Sequence, residues 1–241
     1  MDDAPVVAPL LEVDGLFAGY GASRVLDGLD LTIGVEASVV IGRNGMGKTT
    51  LCDVIMGIVQ PRAGSIRFDG VPIGGKPPER IARSGIAYVP QGRRLFPSLT
   101  VHEHLTMLAR DTRGKRWTPE AVYDLFPRLA ERRRNGGAEL SGGEQQMLSV
   151  GRALLLNGRL VVMDEPSEGL APTVVDDLVA TIHRLVDEGV GVLVVEQNLR
   201  AATAIADRLQ VMVAGRIEAE VVSDDLMSDS DLQRLYLGVD A

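Results

Sequence analysis

The chain has 241 residues, with 25 Lys+Arg against 33 Asp+Glu, a formal charge of −8 and 45% apolar content. That is enough for one large domain or two small ones with a real core, and it excludes intrinsic disorder. The longest stretches free of Asp, Glu, Lys and Arg are residues 15–23 and 84–92, well short of the ~18 apolar residues a bilayer-spanning helix needs. The acidic start lacks a basic n-region, and Cys52, the single cysteine, has no internal disulfide partner; together these predict a cytoplasmic chain that does not itself cross a membrane. The acidic balance also argues against a surface broadly adapted to nucleic acid. Of the 25 basic residues only Lys48, Lys76 and Lys115 are lysines, the latter two in predicted loops.

Short β-type runs come first, at residues 10–13, 29–33, 38–41 and 65–68, separated by glycine-bearing turns such as Phe68-Asp69-Gly70. A helical run over 50–56 carries Cys52, expected to face the core. Later apolar runs at 85–89, 160–163, 190–195 and 209–213 read as strands buried on both faces. Helical stretches, including 144–156 and 173–187, separate them, which predicts a parallel sheet covered by helices. Residues 100–135 carry no strand signal and read as a small helical insert anchored by Trp117. Arg132, Arg133 and Arg134 read there as a solvated charge run. His102 and His104 lie about 200° apart on a helix, so they read as surface histidines that share no metal, while His183 reads as structural. The tail from residue 223 predicts a terminal helix docked by Leu232, Leu235 and Tyr236.

The strongest chemical signal is Gly42-Arg43-Asn44-Gly45-Met46-Gly47-Lys48-Thr49-Thr50, placed between a strand and a helix. Three glycines let backbone N–H groups turn inward around an anion, and the helix N-terminus adds partial positive charge. Lys48 can then reach the outer phosphates and Thr49 can ligate Mg²⁺. The run 160–163 ends in Asp164 and Glu165. Successive side chains at a strand end point different ways, so Asp164 is expected to face Mg²⁺ through a water and Glu165 to act as general base on the attacking water. In Leu140-Ser141-Gly142-Gly143-Glu144-Gln145-Gln146, Ser141 and Glu144 have capping-box spacing. Glycine in a first turn costs helix propensity, so the pair Gly142 and Gly143 points to close approach of a ligand such as phosphate.

These motifs resemble, over essentially the whole length, the ATP-binding subunits of ABC transporters. The resemblance implies an α/β P-loop NTPase fold, with a RecA-like parallel core sheet, an N-terminal antiparallel β subdomain and a small α-helical subdomain. It implies one ATPase domain over 1–241: β subdomain and phosphate-loop core in 1–99, helical subdomain in 100–140, ATPase core in 141–222 and a tail helix in 223–241. It further implies that Tyr20 stacks on adenine and that Gln91 senses Mg²⁺ and the permease. Ser141, Gly142, Gly143 and Gln145 would touch the ATP held by an opposite, identical or similar subunit. The switch position, commonly histidine in this superfamily, is Gln197 here, which can hydrogen-bond a γ-phosphate but cannot titrate near neutrality. The segments GRRLFPSLTV, MDEPSEGLAP and VVEQN and a YLG ending are similar to ATPases of branched-chain amino-acid importers, a group with urea and short-chain amide relatives. The implied partners are integral-membrane permease subunits, docking at the groove beside Gln91 and Phe96 on the inner face of the cell membrane. The alternatives are a soluble, nucleic-acid-associated ABC ATPase and a P-loop GTPase or small-molecule kinase. Against the last, none of the three lysines follows an asparagine, so no Asn-Lys-x-Asp guanine-reading element exists.

Overall fold

A computed structural model describes residues 8–109 and 114–237. In chain order its first elements are β1 (Leu11–Ala18), β2 (Leu26–Ile33), β3 (Ala37–Ile41), α1 (Lys48–Ile55), β4 (Ala63–Phe68), β5 (Val71–Pro72), α2 (Pro78–Ser84) and β6 (Ile86–Val89). Next come the insert helices α3 (Val101–Thr106), α4 (Pro119–Leu125) and α5 (Pro127–Glu131), then a 3₁₀ turn at Gly137–Glu139. The rest is α6 (Gly142–Leu154), β7 (Leu160–Asp164), α7 (Pro172–Asp187), β8 (Gly191–Glu196), α8 (Leu199–Ile205), β9 (Arg208–Val213), β10 (Arg216–Val222), α9 (Ser223–Ser228) and α10 (Ser230–Leu237).

Two sheets form. One is antiparallel, in the order β2-β1-β4-β5; the other runs β10-β9-β3-β8-β7-β6 and is parallel except at its β10 edge. The central strands β7 and β8 are buried at every position, as expected of a parallel sheet covered on both faces. Because strand side chains alternate, the sheet divides the core in two. Val39, Ile41, Val161, Met163, Val192 and Val194 face the helical side with α6, α7 and the insert. Val40, Val162, Leu193 and Val195 face α1 and the antiparallel sheet.

The sequence reading differs from the structure in several places. β1 runs on to Ala18 through a bulge at Asp14-Gly15, where Gly15 has φ 53°, because the interruption of polar-apolar alternation at a bulge hides the continuation. β5 and β10 lie outside the runs expected to be strands, and β9 is only partly buried, since β10 caps the sheet there with residues that alternate between exposed and partly exposed. Among the described residues the insert holds three short helices, and His104 is not a surface residue: it is fully buried. Its Nε2 accepts the Phe96 N–H (2.9 Å) and its Nδ1 lies 2.9 Å from the Thr100 carbonyl. Two backbone groups supply both partners, and burial lowers its basicity. In the tail, Leu232 and Tyr236 pack on the core but Leu235 is 68% exposed, because helical spacing turns position 235 away from the face that 232 and 236 share.

Other expectations hold. Trp117 is buried and tied by its backbone to Asn157, and Cys52 is a buried free thiol. Arg132, Arg133 and Arg134 are exposed. Apart from those expectations, among the described residues no group of three His, Cys, Asp or Glu could hold a metal and no helix is long and apolar enough to cross a membrane.

Candidate functional site

Register builds the site. Ile41 pairs with Glu196 and Asp164 with Val195, so β3, β7 and β8 end side by side. Their carboxyl ends are where an open α/β sheet binds ligands. From β3 the chain enters the glycine loop. A Cβ on Gly42 would lie 2.6 Å from the Met212 carbonyl oxygen, so only glycine fits there. Gly47, at φ 111°, caps α1 with no side-chain cap and no acid in the first turn. The first N–H groups of α1 are thus left to an anion. The turn between β9 and β10 braces the loop: the Gly215 N–H donates to the Met46 carbonyl (2.9 Å) and the Ala214 N–H to Met46 Sδ (3.3 Å).

Lys48 is buried, and its Nζ donates to the Gly42 carbonyl (2.8 Å) and the Arg43 carbonyl (3.3 Å). It also pairs with Glu165 Oε1 at 3.1 Å. Thr49 Oγ1 donates to Asp164 Oδ1 at 3.3 Å, and the Tyr88 hydroxyl lies 3.5 Å from Oδ2. Asp164 is 1% exposed. Burial pushes its carboxyl up to about 6; the Thr49 hydrogen bond opposes that rise and the neighbouring charge of Glu165 adds to it. The strand ends at Asp164. Glu165 turns away not by strand alternation but in the left-handed region, φ 46°, with its N–H on the Val195 carbonyl at 2.9 Å. A glutamate held there is strained. Gln91 Nε2 donates to Glu165 Oε2 (3.3 Å) and Glu168 Oε2 (3.0 Å), which brings Lys48, Thr49, Gln91, Asp164 and Glu165 into one cluster.

Tyr20 is 50% exposed, and its hydroxyl donates to Asp53 Oδ2 on α1 at 3.2 Å. The capping box forms at α6: the Ser141 N–H donates to Glu144 Oε2 (2.8 Å) and the Glu144 N–H to Ser141 Oγ (3.3 Å). Those bonds hold the Glu144 carboxyl below the usual carboxylate range. The two glycines also have an internal reason. A Cβ on Gly143 would crowd the Val174 side chain at 2.9 Å, and one on Gly142 would meet the Arg93 guanidinium at 3.3 Å.

The structure does not join this segment to the rest of the site. Among the described residues, Ser141, Gly142 and Gly143 share no hydrogen bond with residues 42–50, Asp164 or Glu165. The Gln197 side chain is exposed and makes no hydrogen bond among the described residues.

Sequence reasoning missed several residues here. Gly92, Arg93 and Arg94 are three consecutive left-handed residues (φ 77°, 62° and 44°). From that turn Arg93 donates to Gln145 Oε1 and to the Glu168 carbonyl, both at 3.3 Å. No local signal marks that conformation. Glu196 did carry one, a carboxylate closing an apolar strand run, the same pattern that singled out Asp164.

A glycine loop before a helix, a buried lysine inside it, and a strand ending in a buried aspartate and a lysine-paired glutamate define a nucleoside triphosphatase of the phosphate-loop class. The comparisons with known proteins agree with that class and narrow it. The family model described as "ABC transporter" matches residues 26–168. BraG of Pseudomonas aeruginosa, the high-affinity branched-chain amino acid transport ATP-binding protein, is 39% identical over 95% of this chain and 100% of its own length. LptB of Haemophilus influenzae, the lipopolysaccharide export system ATP-binding protein, is 34% identical over 95% of this chain and 97% of its own. Among solved structures, MJ1267, an ATP-binding cassette of an ABC transporter, superposes with a TM-score of 0.81 at 26% identity, covering 96% of this chain and 99% of that one. The chain belongs to the ABC transporter ATP-binding family, and it is an ATP-hydrolysing transporter subunit with the P-loop NTPase fold.

Proposed function

We propose that this subunit powers import of branched-chain or related amino acids. The carrying observation for the chemistry is the single cluster of Lys48, Thr49, Asp164 and Glu165 beside the bare N-terminus of α1; for the substrate class it is the end-to-end likeness to BraG. The full-length likeness to LptB supports a second reading, the same engine on an export system. Urea and short-chain amides are the remaining importer cargoes to test.

In this reading residues 42–50 hold the ATP phosphates, Tyr20 stacks on the adenine, and Glu165 accepts the proton of the attacking water. Mg²⁺ fits the donor set. The Thr49 hydroxyl and the Asp164 carboxylate are hard oxygens 3.3 Å apart, the donor type that Mg²⁺ takes when it is held by one or two protein oxygens, phosphate oxygens and water. Gln91 spends its amide nitrogen on Glu165 and Glu168, which leaves its oxygen for that ion. Bound there, Mg²⁺ would neutralise phosphate charge. Lys48 must trade its bond to Glu165 for phosphate, which frees the glutamate for water. Gln197 is the candidate hydrogen-bond donor to the γ-phosphate.

In this reading the site is shared by two subunits, the segment Ser141–Gln145 of one chain closing on nucleotide held by another. The chain then acts as one ATPase unit, with residues 100–140 as its helical subdomain. Membrane subunits would dock on the inner face of the cell membrane at the groove of about 210 Å³ lined by Tyr88, Pro90, Arg93, Arg94, Leu108 and Arg152. Phe96 stands 48% exposed near it, beneath the Arg152 guanidinium.

Two measurements test this. Purification from detergent-solubilised membranes should recover the chain with integral-membrane subunits, in a complex that takes up labelled leucine, isoleucine or valine. Recovery with soluble partners alone, or uptake of urea but not these amino acids, would overturn the substrate assignment. Tyr20→Ala should weaken ATP binding about 5- to 10-fold, the worth of one base–aromatic stack, with thermal stability unchanged because the ring is half-exposed. Unchanged affinity would remove Tyr20 from the site.

A further inference from the structure

We propose that Glu196 is a positioning residue, one whose carboxylate ties the loop carrying Glu165 to the loop carrying Gln197, while its backbone carbonyl holds the start of the phosphate loop beside them. The inference rests on the reading of Glu165 as general base. Glu196 closes β8 and is 2% exposed. Its Oε1 accepts the Ser167 N–H at 2.9 Å. Its Oε2 accepts the N–H groups of Gln197 (3.0 Å) and Asn198 (3.1 Å). Its backbone carbonyl accepts the Gly42 N–H at 3.4 Å. Asn198 in turn caps α8, its side chain accepting the Ala201 N–H at 3.2 Å.

A buried charge is costly unless hydrogen bonds satisfy it, and a well-packed apolar residue in its place is often no less stable. None of the ion pairs among the described residues includes Glu196; three backbone N–H groups hold its charge instead. The arrangement therefore calls for a reason beyond packing, and the position of Glu165 supplies one. Glu165 sits at φ 46°, a conformation that persists only where its surroundings over-determine it. Its own N–H is held by the Val195 carbonyl, and the Ser167 N–H, two residues on, by the Glu196 carboxylate. The strained base is thus pinned on both sides to the end of one strand. The same carboxylate holds the first two residues of the switch loop, so neither loop can shift without carrying the other. Glu196 touches no reacting atom; it acts through Glu165 and Gln197.

The test is ATP hydrolysis by purified wild-type, Glu196→Gln, Glu196→Asp and Glu165→Gln proteins, together with amide exchange. Glu196→Gln keeps the shape but turns an NH₂ group on backbone donors. The expected result is a kcat lower by about 10- to 100-fold, the scale of a misplaced catalytic group. KM for ATP and the stoichiometry of nucleotide binding should stay at wild-type values. Exchange should speed up together at Ser167 and Asn198. Glu196→Asp, which keeps the charge, should recover part of kcat. Wild-type kcat in Glu196→Gln, or a loss that only follows a smaller folded fraction without faster exchange, would overturn the proposal. Should Glu196→Gln fail to fold, wild-type kcat and exchange in Glu196→Asp overturn it equally. Full turnover in Glu165→Gln would instead remove the reading of Glu165 as base, whereas its loss beside a fully active Glu196→Gln removes the tie alone.

Discussion

Glu165→Gln should abolish most ATP turnover, by about 10²- to 10⁴-fold, the contribution of a positioned general base, while leaving ATP bound. The amide matches the carboxylate in shape, and its one oxygen can still accept from Lys48, which holds Oε1 of the native side chain at 3.1 Å, while its NH₂ replaces the oxygen that accepts from Gln91 at 3.3 Å. It cannot take a proton from water. The phosphate-binding groups, the glycine loop and α1, are untouched by the change. With hydrolysis blocked, ATP-bound subunits should accumulate as a dimer, since only hydrolysis would reopen the two-subunit site. Size-exclusion chromatography with ATP checks the dimer, and phosphate release checks turnover. Undiminished turnover would take the role away from Glu165.

Asp164→Asn should have two opposite effects. It removes an anionic oxygen from the place proposed for Mg²⁺, so Mg²⁺-dependent turnover should fall by about 10²-fold or more. It should also stabilise the nucleotide-free protein. The folded-state carboxyl titrates at about 6, above its ordinary value of 3.8. Between those two pH values the folded protein therefore binds more protons than the unfolded chain, and stability falls as pH rises. Above about pH 6 the wild type bears the whole cost of the buried charge, on the order of 2–3 kcal/mol. Asparagine does not titrate and bears none. It can accept the Thr49 hydroxyl and donate to the Tyr88 oxygen, the two neighbours of the native carboxylate. At pH 8 its Tm should be higher by roughly 5–10 °C, and the gap should close as pH falls through 6 towards 4. A Tm gap that is absent, or that does not change with pH, would contradict the burial argument.

The pair of effects illustrates a trade between stability and activity. On the proposed reading, the carboxylate that would receive a divalent cation is buried with no ion-pair partner among the described residues, and the nucleotide-free folded state carries that cost. Glu165 carries a similar cost in its backbone, at φ 46°. Both sit at the end of β7, a strand whose complete burial makes such positions tenable.

Chemistry written in adjacent residues could be read from the chain alone. Gly42, Gly45, Gly47, Lys48 and Thr49 would, on the proposed reading, act through backbone turns and a helix end that span a few positions, so their order is already their geometry. The Asp164-Glu165 pair was legible because an apolar run announces a buried strand, and the capping box of Ser141 and Glu144 because its partners lie three residues apart. The α/β class followed from the alternation of apolar runs and helical stretches. Contacts between distant segments decided the rest. His104 reads as a polar residue on a helix until Phe96 and Thr100 close around it. The brace from Ala214 and Gly215 to Met46 spans 168 positions, and Arg93 reaches Gln145 from a left-handed turn that no residue type there demands. Glu196 shows the division most plainly. The sequence determined a carboxylate at the end of an apolar strand. Only the tertiary structure decided that it also faces Ser167, because a hydrogen-bond partner 29 residues away is chosen by sheet register and packing, which no local pattern encodes.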